Sequence, residues 1–89
     1  MISHTTERFW EAYRELPSDV RKQARKAYQL FLQNPHHPSL QFKRVHPSQP
    51  IYSARVSREY RALAVRDEDV LVWFWIGSHS GYDKLISTL

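Results

Sequence analysis

Two periods organise the apolar positions of this chain, and one gives way to the other near residue 35. Before that point apolar side chains recur at helical spacing. Phe9, Trp10, Tyr13 and Leu16 form one apolar face, which predicts a first helix. Thr6 is its expected N-cap, with Glu7 in the first turn where the helix dipole favours an anion. Pro17 ends it. Val20, Ala24, Ala27, Tyr28 and Phe31 then follow as a stripe, while Arg21, Lys22, Arg25 and Lys26 cover the opposite side. Ser18 is read as the cap of this second helix, with Asp19 in its first turn. Asn34-Pro35 closes it, because proline cannot continue the backbone hydrogen bonds. The short Leu16-Pro17-Ser18 turn predicts a helical hairpin. Ile2–Thr5 carries a weak signal for an edge strand.

After the loop His36-His37-Pro38-Ser39 the pattern is that of strands. Leu40–Val45 is read as the first, followed by a rigid loop, His46-Pro47-Ser48-Gln49-Pro50. Ile51–Val56 and Tyr60–Arg66 are the next two, joined through Ser57-Arg58-Glu59. Asp67-Glu68-Asp69 is a polar turn. Val70–Ile76 is apolar at every position, which predicts a strand buried on both faces at the centre of the sheet. By simple alternation Trp73 and Trp75 share one face of it and Phe74 the other, as core residues. Gly77 is read as the break, and Ser78 as the cap of a final helix to about Ser87. This order predicts an α+β fold: an N-terminal helical hairpin packed on a small, mostly antiparallel twisted sheet, with a short C-terminal helix.

With 89 residues the chain predicts a single domain spanning 1–89. A domain of this size buries only about 60% of its unfolded surface. No cysteine is present to staple it, so its core must come from aromatics, and a reducing cytoplasm is the natural compartment. The opening MISHTTERFW lacks a basic leader followed by an apolar run and is read as no signal peptide. The longest apolar run is far too short to span a bilayer, so the expectation is a soluble protein with no membrane partner. The net charge is +4 and the pI about 9.7. Such a balance suits a polyanion or an acidic protein partner, or serves solubility alone.

Candidate chemistry gathers in the second half. Arg61 alternates with Leu63 and Val65, so it is partly desolvated and needs an anion. A bidentate guanidinium matches a phosphate, and a carboxylate such as Asp67 or Glu59 would serve equally. Arg55 on the neighbouring strand, Arg58 in the turn, and Lys43 with Arg44 form either a groove for an RNA backbone or a solvated face. His79 follows a strand end and a glycine. An imidazole there can give or take a proton in 2′-hydroxyl attack on a phosphate, or simply sit at the surface. Tyr82, three residues on, stacks on a base or packs the helix. His36 and His37 are adjacent and point apart, with no further ligand at metal spacing. No glycine-rich phosphate loop and no Ser/His/Asp hydrolase motif is visible.

Four stretches together resemble the RelE/ParE superfamily of small bacterial toxins: LPSDVRKQARKAYQLFLQNP, NPHHPSLQFKRV, YSARVSREYRALAVRDEDVLVWFWI and GSHSGYDKL. The characteristic pattern is Y-x-x-R-V followed by Y-R-A-L, an acidic turn and an apolar strand. The tail is most similar to the RelE, YoeB and YafQ-like ribonuclease branches. That resemblance implies a toxin of a type II toxin–antitoxin system that cleaves messenger RNA on the ribosome without metal or cofactor. It also implies an acidic antitoxin partner, the toxin being a monomer or part of a toxin–antitoxin hetero-oligomer. Arg61 then matches the arginine that grips the scissile phosphate, and Arg55 a basic position that contacts RNA. His79 matches the catalytic histidine or arginine, Tyr82 the aromatic after it, and Glu59 a glutamate in the preceding turn. The chain departs from the pattern in its short first strand and in carrying Ser53 or Ser57 where RelE has a second lysine. The alternatives within the superfamily are a ParE-like toxin that blocks DNA gyrase and an inactive binding protein.

Overall fold

The computed structural model describes residues 1–89. The chain runs β1 (Ile2–Thr5), α1 (Glu7–Arg14), α2 (Ser18–Gln33), a 3-10 turn at Pro38–Leu40, β2 (Lys43–Arg44), β3 (Ile51–Ser57), β4 (Tyr60–Asp67), β5 (Val70–Ser78) and α3 (His79–Thr88). The five strands order as β1-β5-β4-β3-β2. β2 through β5 pair antiparallel, and β1 lies parallel to β5 at the edge. The expected α+β architecture is therefore present, with β4 in the middle and β5 flanked on both sides. No helix is long and apolar enough to cross a membrane.

Local chemistry sets the element ends. Thr6 caps α1 by accepting the Phe9 N–H on its hydroxyl. α2 begins one residue earlier than its serine suggests. The Pro17 carbonyl accepts the Arg21 N–H at 3.0 Å, so Pro17 is the cap and Ser18 is already helical. The helices are tied across the hairpin by Arg25 Nη1 donating to the Tyr13 hydroxyl at 2.7 Å. Both pack on one side of the sheet. Leu16, Val20, Ala24 and Phe31 meet Ala54, Ala62, Ala64, Leu71, Trp73 and Ile76 in a single core.

The expected strand over 40–45 shrinks to two residues. Pro38 opens a 3-10 turn, and Gln41 adopts a left-handed backbone with φ 45° that turns the chain out of extension. Arg44 then closes the proline-rich loop by donating from Nε to the carbonyls of His46 and Gln49. Gly77 does not break β5, which continues to Ser78. A Cβ at Gly77 would lie 2.5 Å from Trp75 Cζ2, so this glycine makes room for the indole. The tryptophans also part company. The β4–β5 register shifts between Leu63 and Ala64, pairing Ala64 with Trp73 and Leu63 with Trp75. That bulge inserts a residue and reverses the alternation. Trp73 packs on Phe31 of α2 at 5.5 Å, while Trp75 lies on the other face against Gly77 and Gly81.

Candidate functional site

The face of the sheet turned away from α1 and α2 carries the candidate residues Lys43, Arg55 and Arg61. Side chains of paired residues on antiparallel strands share a face. Lys43 pairs with Ser53, Ser53 with Leu63, and Arg55 with Arg61. Lys43, Ser53, Arg55 and Arg61 therefore occupy one face. α3 folds back over its end. Ser78 caps α3 by accepting the Gly81 N–H. The His79 N–H donates to the Glu59 carbonyl at 2.7 Å, pinning the helix start to the β3–β4 turn.

Arg61 is the centre of this face. Only 9% of it is exposed, yet no carboxylate lies within ion-pair distance. Nη1 donates to the fully buried Ser53 hydroxyl at 3.0 Å and Nη2 to Gln41 Oε1 at 2.7 Å. The guanidinium carbon sits 5.6 Å from the Tyr82 ring centre, within reach of a cation–π attraction. All its partners are neutral. They hold the group in place without cancelling its charge, and a buried charge lacking a counterion attracts one.

Beyond Tyr82 comes His79, its ring centre 5.5 Å from the phenol's and nearly perpendicular to it. His79 Nδ1 stands 3.3 Å from Asp83 Oδ2, one helical turn on. When Nδ1 holds a proton it donates to Asp83, which leaves Nε2 as the ring nitrogen for proton exchange. Arg61, Tyr82 and His79 thus line up, with the Glu59 backbone beside the last of them. The Glu59 side chain is exposed in the turn.

The remaining cations divide. Arg55 is half-buried beside Arg61, Lys43 is exposed two positions along the same face, and Arg58 is exposed in the turn. Arg44 pairs with Tyr52 on the other face, and its Nε is engaged by backbone carbonyls. Gln41, Ser53 and Asp83 contact these candidate residues, and the sequence reading gave none of them such a place. Asp83 stands four residues from His79 on a helix, a spacing legible in the chain. Gln41 lies twenty positions from Arg61, and no local pattern joins them.

No group of three or more His, Asp or Glu side chains is placed to hold a metal ion. A recess of about 690 Å³ opens between the helices and the sheet. Phe9, Tyr13, Phe31 and Ile76 are among its mostly apolar lining, and none of Arg61, His79 and Tyr82 reaches it.

Several solved structures share this architecture. YafQ from E. coli strain BL21(DE3) is similar with a TM-score of 0.72 at 10% identity, over 90% of this chain and 94% of that one. The RelB-RelE antitoxin-toxin complex from Methanococcus jannaschii gives 0.69 at 14% identity, over 92% and 96%. The E. coli RelBE toxin-antitoxin complex gives 0.62 at 22% identity, over 85% and 93%. No curated protein matches the chain in sequence. The model of the ParE-like toxin domain matches residues 18–84, a span from the start of α2 into α3 that contains the whole Arg61 face. The chain belongs to this family of ParE-like toxin domains, within the RelE/ParE superfamily.

Proposed function

We propose that this protein is a toxin of a type II toxin–antitoxin system that cleaves messenger RNA in the translating ribosome. The observation that carries the reading is Arg61: a buried guanidinium, positioned by neutral groups, with no carboxylate to neutralise it. The scissile phosphate lies over Tyr82, between Arg61 and His79. The 2′-hydroxyl oxygen forms a bond to phosphorus as it loses its proton, with Glu59 as the nearby carboxylate to take it. Charge that builds on the phosphorane oxygens is met by the fixed guanidinium, whose advantage is greatest in the transition state. The bond from phosphorus to the 5′-oxygen then breaks, and the leaving oxygen takes the Nε2 proton of a His79 imidazolium whose Nδ1–H is held by Asp83. Asp83 orients the imidazole for that transfer. Tyr82 offers a ring on which a neighbouring base stacks. Arg55, Lys43 and Arg58 hold the flanking backbone, while the engagement of Arg44 by the loop carbonyls puts it at the margin of this surface.

Family membership and the likeness to toxins solved with their antitoxins support an antitoxin as the second partner, and the net charge of +4 suits an acidic one. A second reading, a blocker of DNA gyrase, is favoured by one observation. Tyr82 covers Arg61, as suits a binding surface that never meets a phosphate. Mapping of messenger RNA ends after induction, beside a plasmid supercoiling assay, separates the two. The nuclease reading expects new RNA ends within reading frames and unchanged supercoiling. Relaxed plasmid with intact RNA assigns the protein to gyrase instead.

A further inference from the structure

Arg55 stands directly across the β3–β4 ladder from Arg61, and like charges opposite one another repel. No carboxylate pairs with either. The ladder shifts between Arg55 and Ser57, and an irregularity of this kind re-aims the side chains around it. There Arg55 borders a second recess, about 540 Å³, between α2, the 3-10 turn and the end of β3. α2 contributes Gln23, Lys26 and Leu30, and β3 contributes Val56 and Ser57. Gln23 and Lys26 are three residues apart and share a helix face. Lys26 also has no carboxylate partner. β2 pairs only with Tyr52 and Ser53, so the outer edge of β3 beyond Ser53 has no strand beside it and the recess is open there.

We infer that this recess binds one nucleotide unit of a single-stranded RNA, its phosphate between Lys26 and Arg55 and its base against Leu30 and Val56. The inference rests on the RNA-directed reading of the Arg61 face and extends it. Guanidinium and ammonium groups both donate to phosphate oxygens. Gln23 and Ser57 add neutral donors at the rim, and the aliphatic floor accepts a base in any sequence. The volume falls in the range of roughly 300–1,000 Å³ usual for small-ligand sites. The recess lies on the α2 side of the sheet and the Arg61 face on the other, so a strand that reaches both passes around the open edge of β3 at Arg55. Bound phosphate also removes the repulsion between the paired arginines.

The test measures binding by fluorescence anisotropy, using the full chain and a labelled eight-nucleotide 2′-O-methyl RNA, which cannot be cleaved. The slope of log affinity against log salt counts phosphates neutralised. Lys26→Ala, which leaves the cations of the Arg61 face in place, is expected to flatten that slope by about 0.7 for the phosphate it releases. The control Lys22→Ala removes the same charge from an exposed position of the same helix outside the recess and is expected to leave the slope alone. An equal loss in both variants means diffuse attraction only, and overturns the inference. So does a wild-type protein that does not bind the strand. A labelled hexaglutamate that binds more tightly than RNA, and is lost in Lys26→Ala, assigns the recess to an acidic protein segment and overturns it too. Since binding and not cleavage is read, a protein that cuts nothing still decides this question, and an empty recess leaves the cleavage question open.

Discussion

A cation at position 61 is costly to bury unless its donors are met, and Ser53 and Gln41 meet two of them. Removing one partner of such a contact strands the other, which costs about 1–3 kcal/mol. Arg61→Ala and Ser53→Ala are each expected to lose stability on that scale, and the double variant less than their sum. Chemical denaturation of the four proteins in a double-mutant cycle should give a coupling of roughly 0.5–3 kcal/mol. Strict additivity means that the hydrogen bond is not a working contact. Gln41→Ala frees Nη2, so it should lower the RNA cleavage rate while leaving the apolar core untouched. Comparing rates at saturating ribosomes with a circular dichroism melt separates that effect from unfolding. The sequence singled out Arg61 by strand alternation and His79 by its place after a strand end, and the structure sets both against Tyr82. What holds them was legible only in part. Asp83 lies within helical reach of His79, but Gln41 and Ser53 become neighbours of Arg61 only once β2, β3 and β4 are in register.

Among the elements, β5 decides how the two faces are joined. Its bulge sends Trp73 into the helices and Trp75 toward α3. Trp73 is 4% exposed and its indole N–H donates to the Ser3 hydroxyl at 2.8 Å. Trp73→Ala is therefore expected to cost about 3–5 kcal/mol in a denaturant titration, the scale of a large core aromatic. Trp75, only partly buried, should cost less. A larger loss at Trp75 contradicts the placement of the bulge. Gly77→Ala brings a methyl group against the indole ring, and overpacking of this kind costs about 1–3 kcal/mol. Its further effect should be on α3, read as faster amide hydrogen exchange over Tyr82–Ile86 than in wild type. Helical and strand periods in the chain located the three helices and the three long strands to within a residue or two. They did not locate the bulge, because one inserted residue leaves an unbroken apolar run looking the same. Nor did they foresee the 3-10 turn at Pro38–Leu40, where proline and a left-handed glutamine override a run that reads as extended.

At the scale of the molecule, the two faces of the sheet are built differently. One is covered by α1 and α2 and holds the aromatic core. The other is crossed by α3 and runs from the buried Arg61 through the half-buried Tyr82 to the exposed His79. A sheet with helices on one side was readable from element order. The parallel pairing of β1 with β5 was not, since that contact joins positions at opposite ends of the chain. The central claim is that His79 gives a proton to the leaving 5′-oxygen while Arg61 steadies the phosphorane. It is tested most directly by single-turnover cleavage of ribosome-bound messenger RNA with either the natural linkage or a 5′-bridging sulfur at the cut site. A thiolate leaves without needing a proton. His79→Ala should cut the natural linkage about 10²–10⁴-fold more slowly than wild type, and should recover most of that loss on the sulfur linkage. Arg61→Ala should be slow on both. If wild type and His79→Ala cut the natural linkage equally fast, or if sulfur rescues neither variant or both alike, His79 is not the acid and the account of this site fails.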